Sequence, residues 1–143
     1  MKKYSLGFIF NESMDKVLLI SKLAPAWQIG LLNGLGGKVE EGEDGITCMV
    51  REIKEECCLD TEKENWDFVC TMTAPDWAID CFAYVYKGNM EDAKCMEEEQ
   101  VAWYDVKNLP ENIIPNLSWL IPMSLDKMNN MDFSFNTVAI EYN

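Results

Sequence analysis

Histidine is absent from all 143 residues. That absence removes His-based triads, histidine general bases and the commonest zinc sites, and leaves carboxylates, lysine, tyrosine and cysteine to carry any chemistry. Basic residues are scarce: 12 Lys and Arg stand against 25 Asp and Glu, a net charge of -13. A surface for duplex nucleic acid needs net Lys and Arg along the contact, so that partner is excluded. Long apolar runs are missing as well, since no segment approaches the roughly 20 apolar residues that span a bilayer. The start, MKKYSLGFIFNES, holds two lysines and a short apolar run without a signal-type cleavage region, which points to a cytoplasmic protein. Cysteines at 48, 57, 58, 70, 81 and 95 form no CxxC pair, so free thiols in a reducing compartment are expected.

What remains is sufficient for one folded unit. With 48% hydrophobic residues, the chain can bury a substantial core without disulfide or metal staples, and residues 1–143 read as a single domain. Neither internal repeats nor low-complexity tracts interrupt it.

The most informative stretch is GKVEEGEDGITCMVREIKEECCL, from Gly37 to Leu59. Its pattern predicts a helix over Asp44 to Cys57, preceded by a flexible run through Gly34, Gly36 and Gly37. At about 100° per residue, Glu52, Glu55 and Glu56 share one face as i, i+3 and i+4 neighbours. Ile46, Met49, Val50, Ile53 and Cys57 form a separate stripe, which predicts clean division between an acidic and a core-facing side. Three like charges on adjacent turns repel, and Arg51 supplies a single positive charge. A hard divalent ion held by carboxylate oxygens, Mg2+ or alternatively Mn2+, is the natural complement.

Gly37, Glu43 six residues on and, after seven more residues, Arg51-Glu52-Ile53-Lys54-Glu55-Glu56 together resemble the Nudix box of Mg-dependent hydrolases. Leu59 closes the box. One position departs, because the second glycine of the motif is Cys58 here, which predicts local strain or an altered turn with the acidic residues intact. The resemblance implies that Glu52, Glu55 and Glu56, with the Gly37 carbonyl, hold the metal, and that Arg51 orients the carboxylates. It further implies a base or ligand from a loop outside the box. Within Glu97-Glu98-Glu99 that residue is expected to be Glu99, with Glu98 next.

Weaker similarity, carried by Trp27 and the run Asn33-Gly34-Leu35-Gly36-Gly37-Lys38, a proline-containing hairpin and the Pro115 to Pro122 segment, is to the MutT-type 8-oxo-dGTP diphosphatase branch. That similarity implies Asn33 as a base reader, Asn116 where related enzymes carry an acidic base-binding residue, and a small nucleotide as partner. Lys38 is a candidate phosphate contact. Trp27, Trp77, Trp103 and Trp119 are candidates for stacking. The implied reaction is cleavage of a purine nucleoside triphosphate, such as 8-oxo-dGTP, to the monophosphate and pyrophosphate. ADP-ribose or a nucleotide sugar is an alternative substrate, on Pro75, and a nucleotide-binding sensor is an alternative role. Either a monomer or a homodimer is compatible.

Strands are expected over Tyr4 to Phe10, Val17 to Lys22, Trp66 to Thr73, Ala78 to Lys87, Val101 to Val106 and Phe133 to Tyr142. A second helix is expected from Pro115 through Met128, weakened at Pro122. Helices on both faces of a mixed, twisted sheet, an α/β/α sandwich carrying a catalytic loop-helix-loop, satisfy this order.

Overall fold

The computed structural model describes residues 1–129 and 134–143. Its strands are β1 (Lys2–Asn11), β2 (Lys16–Ser21), β3 (Leu32–Asn33), β4 (Leu35–Lys38), β5 (Asp67–Ala74), β6 (Trp77–Tyr86), β7 (Val101–Asp105) and β8 (Ala139–Glu141). Two helices accompany them, α1 (Gly45–Cys57) and α2 (Leu117–Asn129). All eight strands join one mixed sheet in the order β3-β2-β1-β6-β5-β8, with β4 added to β1 and β7 to β2. β1 runs parallel to β6 along its whole length, from Lys2 opposite Trp77 to Asn11 opposite Tyr86. Its other edge is shared: Ile9 and Phe10 pair with β2, and Tyr4 to Gly7 pair with β4. β2 and β4 therefore diverge from a common strand, and the fork opens toward Asn33 and Gly34.

Alternation along the strands sorts side chains into two apolar layers. Phe8, Phe10, Val17, Leu19, Cys81 and Ala83 face α2 through its Leu117, Leu120 and Ile121. Ile9, Leu18, Ile20, Phe82 and Tyr84 face α1 through its Met49, Ile53 and Cys57. With both faces covered, the central strand β1 is buried from Gly7 to Asn11, in agreement with the expected α/β/α sandwich.

Four expectations are adjusted. The Gly-rich run is not flexible: Leu35–Lys38 is a strand because glycine lets it lie close on β1, where a Cβ on Gly36 would come within 1.9 Å of the Ser5 carbonyl oxygen. The last strand is only Ala139–Glu141, parallel to Thr71–Thr73 of β5. Residues 134–138 of the longer expected strand are irregular, and Phe133 lies outside the described residues. Pro122 sits inside α2 without ending it, since the carbonyl it leaves unpaired belongs to Ser118 one turn earlier, an exposed residue. Finally, acidic and core faces of α1 do not separate, because Glu56 stands only about 20° from Met49 around the helix and is itself buried.

All six cysteines are free, with Cys48, Cys57, Cys70 and Cys81 buried. Among the described residues no helix is long and apolar enough to cross a membrane.

Candidate active site

α1 is capped at its start by Asp44, whose carboxylate accepts the Thr47 N–H at 2.8 Å. It ends at Cys58, where φ 68° and ψ 6° place the backbone in the left-handed region and the Cys58 N–H reaches the Lys54 carbonyl. The motif glycine has been replaced, yet its backbone conformation is kept.

Between these ends the carboxylates take different environments. Glu56 is 6% exposed and accepts the Gly36 N–H at 2.9 Å. Burial pushes its carboxyl up to about 8, the Gly36 hydrogen bond opposes that rise, and the charge of Glu52 adds to it. Glu52 packs so closely on β4 that a Cβ on Gly37 would meet its Oε1 at 2.4 Å. Its carboxyl is also raised, by burial first, against the pull of Arg51 and with the charges of Glu55 and Glu97. Glu55 points outward, its side chain 53% exposed.

Arg51 organises this face. Its Nη2 and Nε donate to the two oxygens of Glu43 at 2.7 and 3.2 Å, and its Nη1 donates to Glu52 at 2.9 Å and Glu55 at 3.3 Å. The fork of Arg51 holds the Glu43 carboxyl down to about 2. Nη2 also donates to the Lys38 carbonyl, tying α1 to β4. The Gly37 carbonyl, expected among the ligands, lies 3.6 Å from the Cys48 thiol on the first turns of α1.

The donor chemistry fits a hard cation: Glu52, Glu55, Glu56 and the Gly37 carbonyl offer oxygen alone, and Glu56 is buried and Glu52 half-buried where positive charge offsets their desolvation. As arranged, Glu55 is turned toward Arg51, and among the described residues no three acidic or thiol groups already converge as a cage.

Outside the box, the acidic run divides unexpectedly. Glu99 is occupied with the 22–23 segment, accepting the Leu23 N–H at 2.7 Å and Lys22 Nζ at 3.2 Å. Burial works to raise its carboxyl, but those two donors outweigh it and hold it below the usual range. Glu97 is the member of the run whose charge reaches both Glu52 and Glu56. All three lie in an irregular loop with no period, so spacing alone does not separate them.

Beside the helix face, between the β2–β4 fork and the start of α2, lies a cavity of about 540 Å³. Trp27, Asn33, Gly37 and Asn116 of the expected site line it, and Lys22 lines it as well. Lys38 does not; its side chain is exposed. Asn33 accepts the Gly34 N–H at 2.8 Å and donates to Gln28 Oε1 at 3.3 Å. Asn116 donates weakly to the Met72 sulfur at 3.8 Å, while its buried Oδ1 has no partner. Trp27 is 65% exposed at the mouth, and Trp77 lines the interior. Trp103 instead donates its indole N–H to the Met90 carbonyl within the α1 layer, and Trp119 lies on the exposed side of α2.

The family model described as NUDIX domain matches residues 2–122. The chain belongs to the Nudix family. It carries a Nudix hydrolase domain, and its reaction class is that of a Nudix pyrophosphohydrolase acting on a small nucleotide. No curated protein matches it. Solved structures with the same fold include MutT from Aliivibrio salmonicida and Vibrio cholerae work, 22% identical over 87% of this chain and 98% of that one, with a TM-score of 0.67. An ADP-ribose pyrophosphatase from Streptococcus suis is 19% identical over 99% of this chain and 98% of its own, with a TM-score of 0.72. The NUDIX domain of Shewanella oneidensis NrtR, solved with ADP ribose, is 15% identical over 89% and 88%, with a TM-score of 0.71. At such identities these likenesses establish the Nudix fold and do not choose between substrates.

Proposed function

We propose that this Nudix hydrolase cleaves a purine nucleoside triphosphate, of the kind exemplified by 8-oxo-dGTP, to the nucleoside monophosphate and pyrophosphate, as one domain spanning residues 1–143. The observation that carries this reading is the pairing of two amides, Asn33 and Asn116, in one cavity that runs to Gly36 and Gly37 beside the acidic helix. The buried Oδ1 of Asn116 has no partner, and an unpaired buried acceptor costs about 1–3 kcal/mol until a donor reaches it. An N–H on the edge of a purine is such a donor.

Glu52, Glu55, Glu56 and the Gly37 carbonyl would hold Mg2+, or Mn2+, with Glu97 as the loop carboxylate in place of Glu99. When bound, such an ion neutralises phosphate charge and acidifies a water. The remaining work is positioning. Arg51 orients Glu52 and Glu55, the Gly36 N–H orients Glu56, and Lys22, held by Glu99, supplies positive charge at the cavity wall next to Glu56. A single carboxylate of the cluster can accept the proton of the attacking water.

Hydrolysis of purine and pyrimidine triphosphates, 8-oxo-dGTP and ADP-ribose with Mg2+ tests the reading. Asn33→Ala should cost about 1–3 kcal/mol in kcat/KM for the preferred purine and little for a pyrimidine. ADP-ribose cleaved faster than every triphosphate, or an equal loss on all substrates, would replace this reading with the nucleotide-sugar one.

A further inference from the structure

Tyr142 stands just after β8, beyond the residues matched by the family model. Its N–H donates to the Thr73 carbonyl at 2.7 Å, which extends the β5–β8 pairing by one residue. This pairing places the phenol ring beside the start of β6. There it meets Trp77, with ring centroids 5.6 Å apart and planes inclined by 46°. Its hydroxyl lies 3.9 Å from the Met72 sulfur, the same atom that the Asn116 amide approaches at 3.8 Å. Met72 is 1% exposed, so it is a fixed joint between the aromatic pair and the amide with the unpaired oxygen.

A tyrosine that merely covered the core would spend its ring on buried neighbours. Tyr142 keeps 37% of its surface and, with Trp77, lines the cavity. Aliphatic walls come from Leu6, Ile79 and Ile114. The cavity thus offers a broad π-surface next to an unpaired amide oxygen, the two features that a flat heterocycle with a donor-bearing edge satisfies together.

We propose that Tyr142, supported on Trp77, is a specificity-determining residue that receives the purine ring of the substrate by stacking, so that the short C-terminal strand sets base selectivity. This rests on reading the cavity as a nucleotide site. A bicyclic base covers more of the aromatic surface than a monocyclic one, and stacking of this kind is worth about tenfold in affinity per base.

The test measures kcat/KM with Mg2+, and Kd by equilibrium dialysis, for dGTP against dCTP and for ADP-ribose against UDP-glucose. Tyr142→Leu keeps apolar bulk without a stacking plane, and Tyr142→Phe keeps the plane without the hydroxyl. Wild type should favour the purine member of the pair it uses. Tyr142→Leu should weaken the purine member about tenfold, chiefly through KM, and leave the pyrimidine member within about twofold. Tyr142→Phe should stay close to wild type. Binding of both members alike by wild type, binding of neither, an equal loss on both in Tyr142→Leu, or full activity in that variant would overturn the assignment. A preference for ADP-ribose over dGTP would instead defeat the triphosphate reading while the purine-to-pyrimidine ratio still judges Tyr142.

Discussion

Glu52 Oε1 lies only 2.4 Å from where a Cβ on Gly37 would stand, so the glycine of β4 sets how deeply this carboxylate seats on the sheet. The obstructing atom is the far end of a side chain, which can move. Gly37→Ala is therefore expected to fold normally, with stability within about 0.5 kcal/mol of wild type, while displaced Glu52 lowers turnover at least ~10-fold. Gly36→Ala should behave differently. At φ +148° its Cβ would strike the Ser5 carbonyl oxygen at 1.9 Å, a backbone clash, and should cost about 2 kcal/mol or more. Urea denaturation and turnover measured on both variants check the contrast, and a strongly destabilised Gly37→Ala would refute it.

Cys58 holds a left-handed backbone, φ 68°, that costs a residue with a side chain on the order of 1 kcal/mol. Cys58→Gly should raise the urea midpoint by the equivalent of about 1 kcal/mol and leave turnover unchanged, because no carboxylate moves. Lower stability on that substitution would mean that packing of the half-buried thiol outweighs the strain.

The helix and its carboxylates were legible in the sequence because the 3.6-residue period is local. Burial of Glu56 was less legible: at about 20° from Met49 it lies on the boundary of two faces, and only the approach of β4, with the Gly36 N–H, decides that it goes inward. β3 and β4 were hidden for a related reason. Glycine lacks the side chain from which alternation is read, and the pairing of Leu35–Lys38 with β1 is a tertiary choice. Asn33, Asn116 and Trp27 line one cavity, whereas Lys38 turns to solvent and Glu99 is held by Lys22 and Leu23. Tyr142 was legible only as the end of an expected last strand; its place in the cavity depends on β8 pairing with a strand about 70 residues earlier.

Away from the site, the Tyr84 hydroxyl donates to Glu62 at 2.7 Å, and Asn65 donates to the same carboxylate at 3.0 Å. These bonds, that of Tyr84 first, hold the Glu62 carboxyl below its ordinary value of 4.5. Burial, and then Glu62, raise the Tyr84 hydroxyl above its ordinary value of 10.0. A depressed carboxyl contributes stability that is present above 4.5 and lost as pH falls through its folded value; a raised phenol contributes stability present below 10.0 and lost as pH rises through its own. Tyr84→Phe, which keeps the ring against Trp66, should lower Tm across the neutral range, with a difference that narrows toward pH 3. A Tm difference independent of pH would show that the hydrogen bond adds nothing beyond packing.

Metal dependence provides the last test, because Glu56 and Glu97 are asked to act on the same ion from the helix and from a loop. Glu56→Gln preserves shape and the Gly36 hydrogen bond but removes a ligand charge, so turnover should fall at least ~100-fold, about 2.7 kcal/mol of barrier. Glu97→Gln removes the loop charge that reaches Glu52 and Glu56, so turnover should fall by roughly 100-fold as well. Glu99→Gln acts through Lys22 and the Leu23 N–H, so its effect should appear mainly in KM. Mn2+ binding followed by electron paramagnetic resonance separates the roles: Glu56→Gln should weaken the ion, and Glu99→Gln should leave it bound. Full turnover in EDTA, or Mn2+ affinity lost in Glu99→Gln and kept in Glu56→Gln, would move the metal off the acidic face of α1.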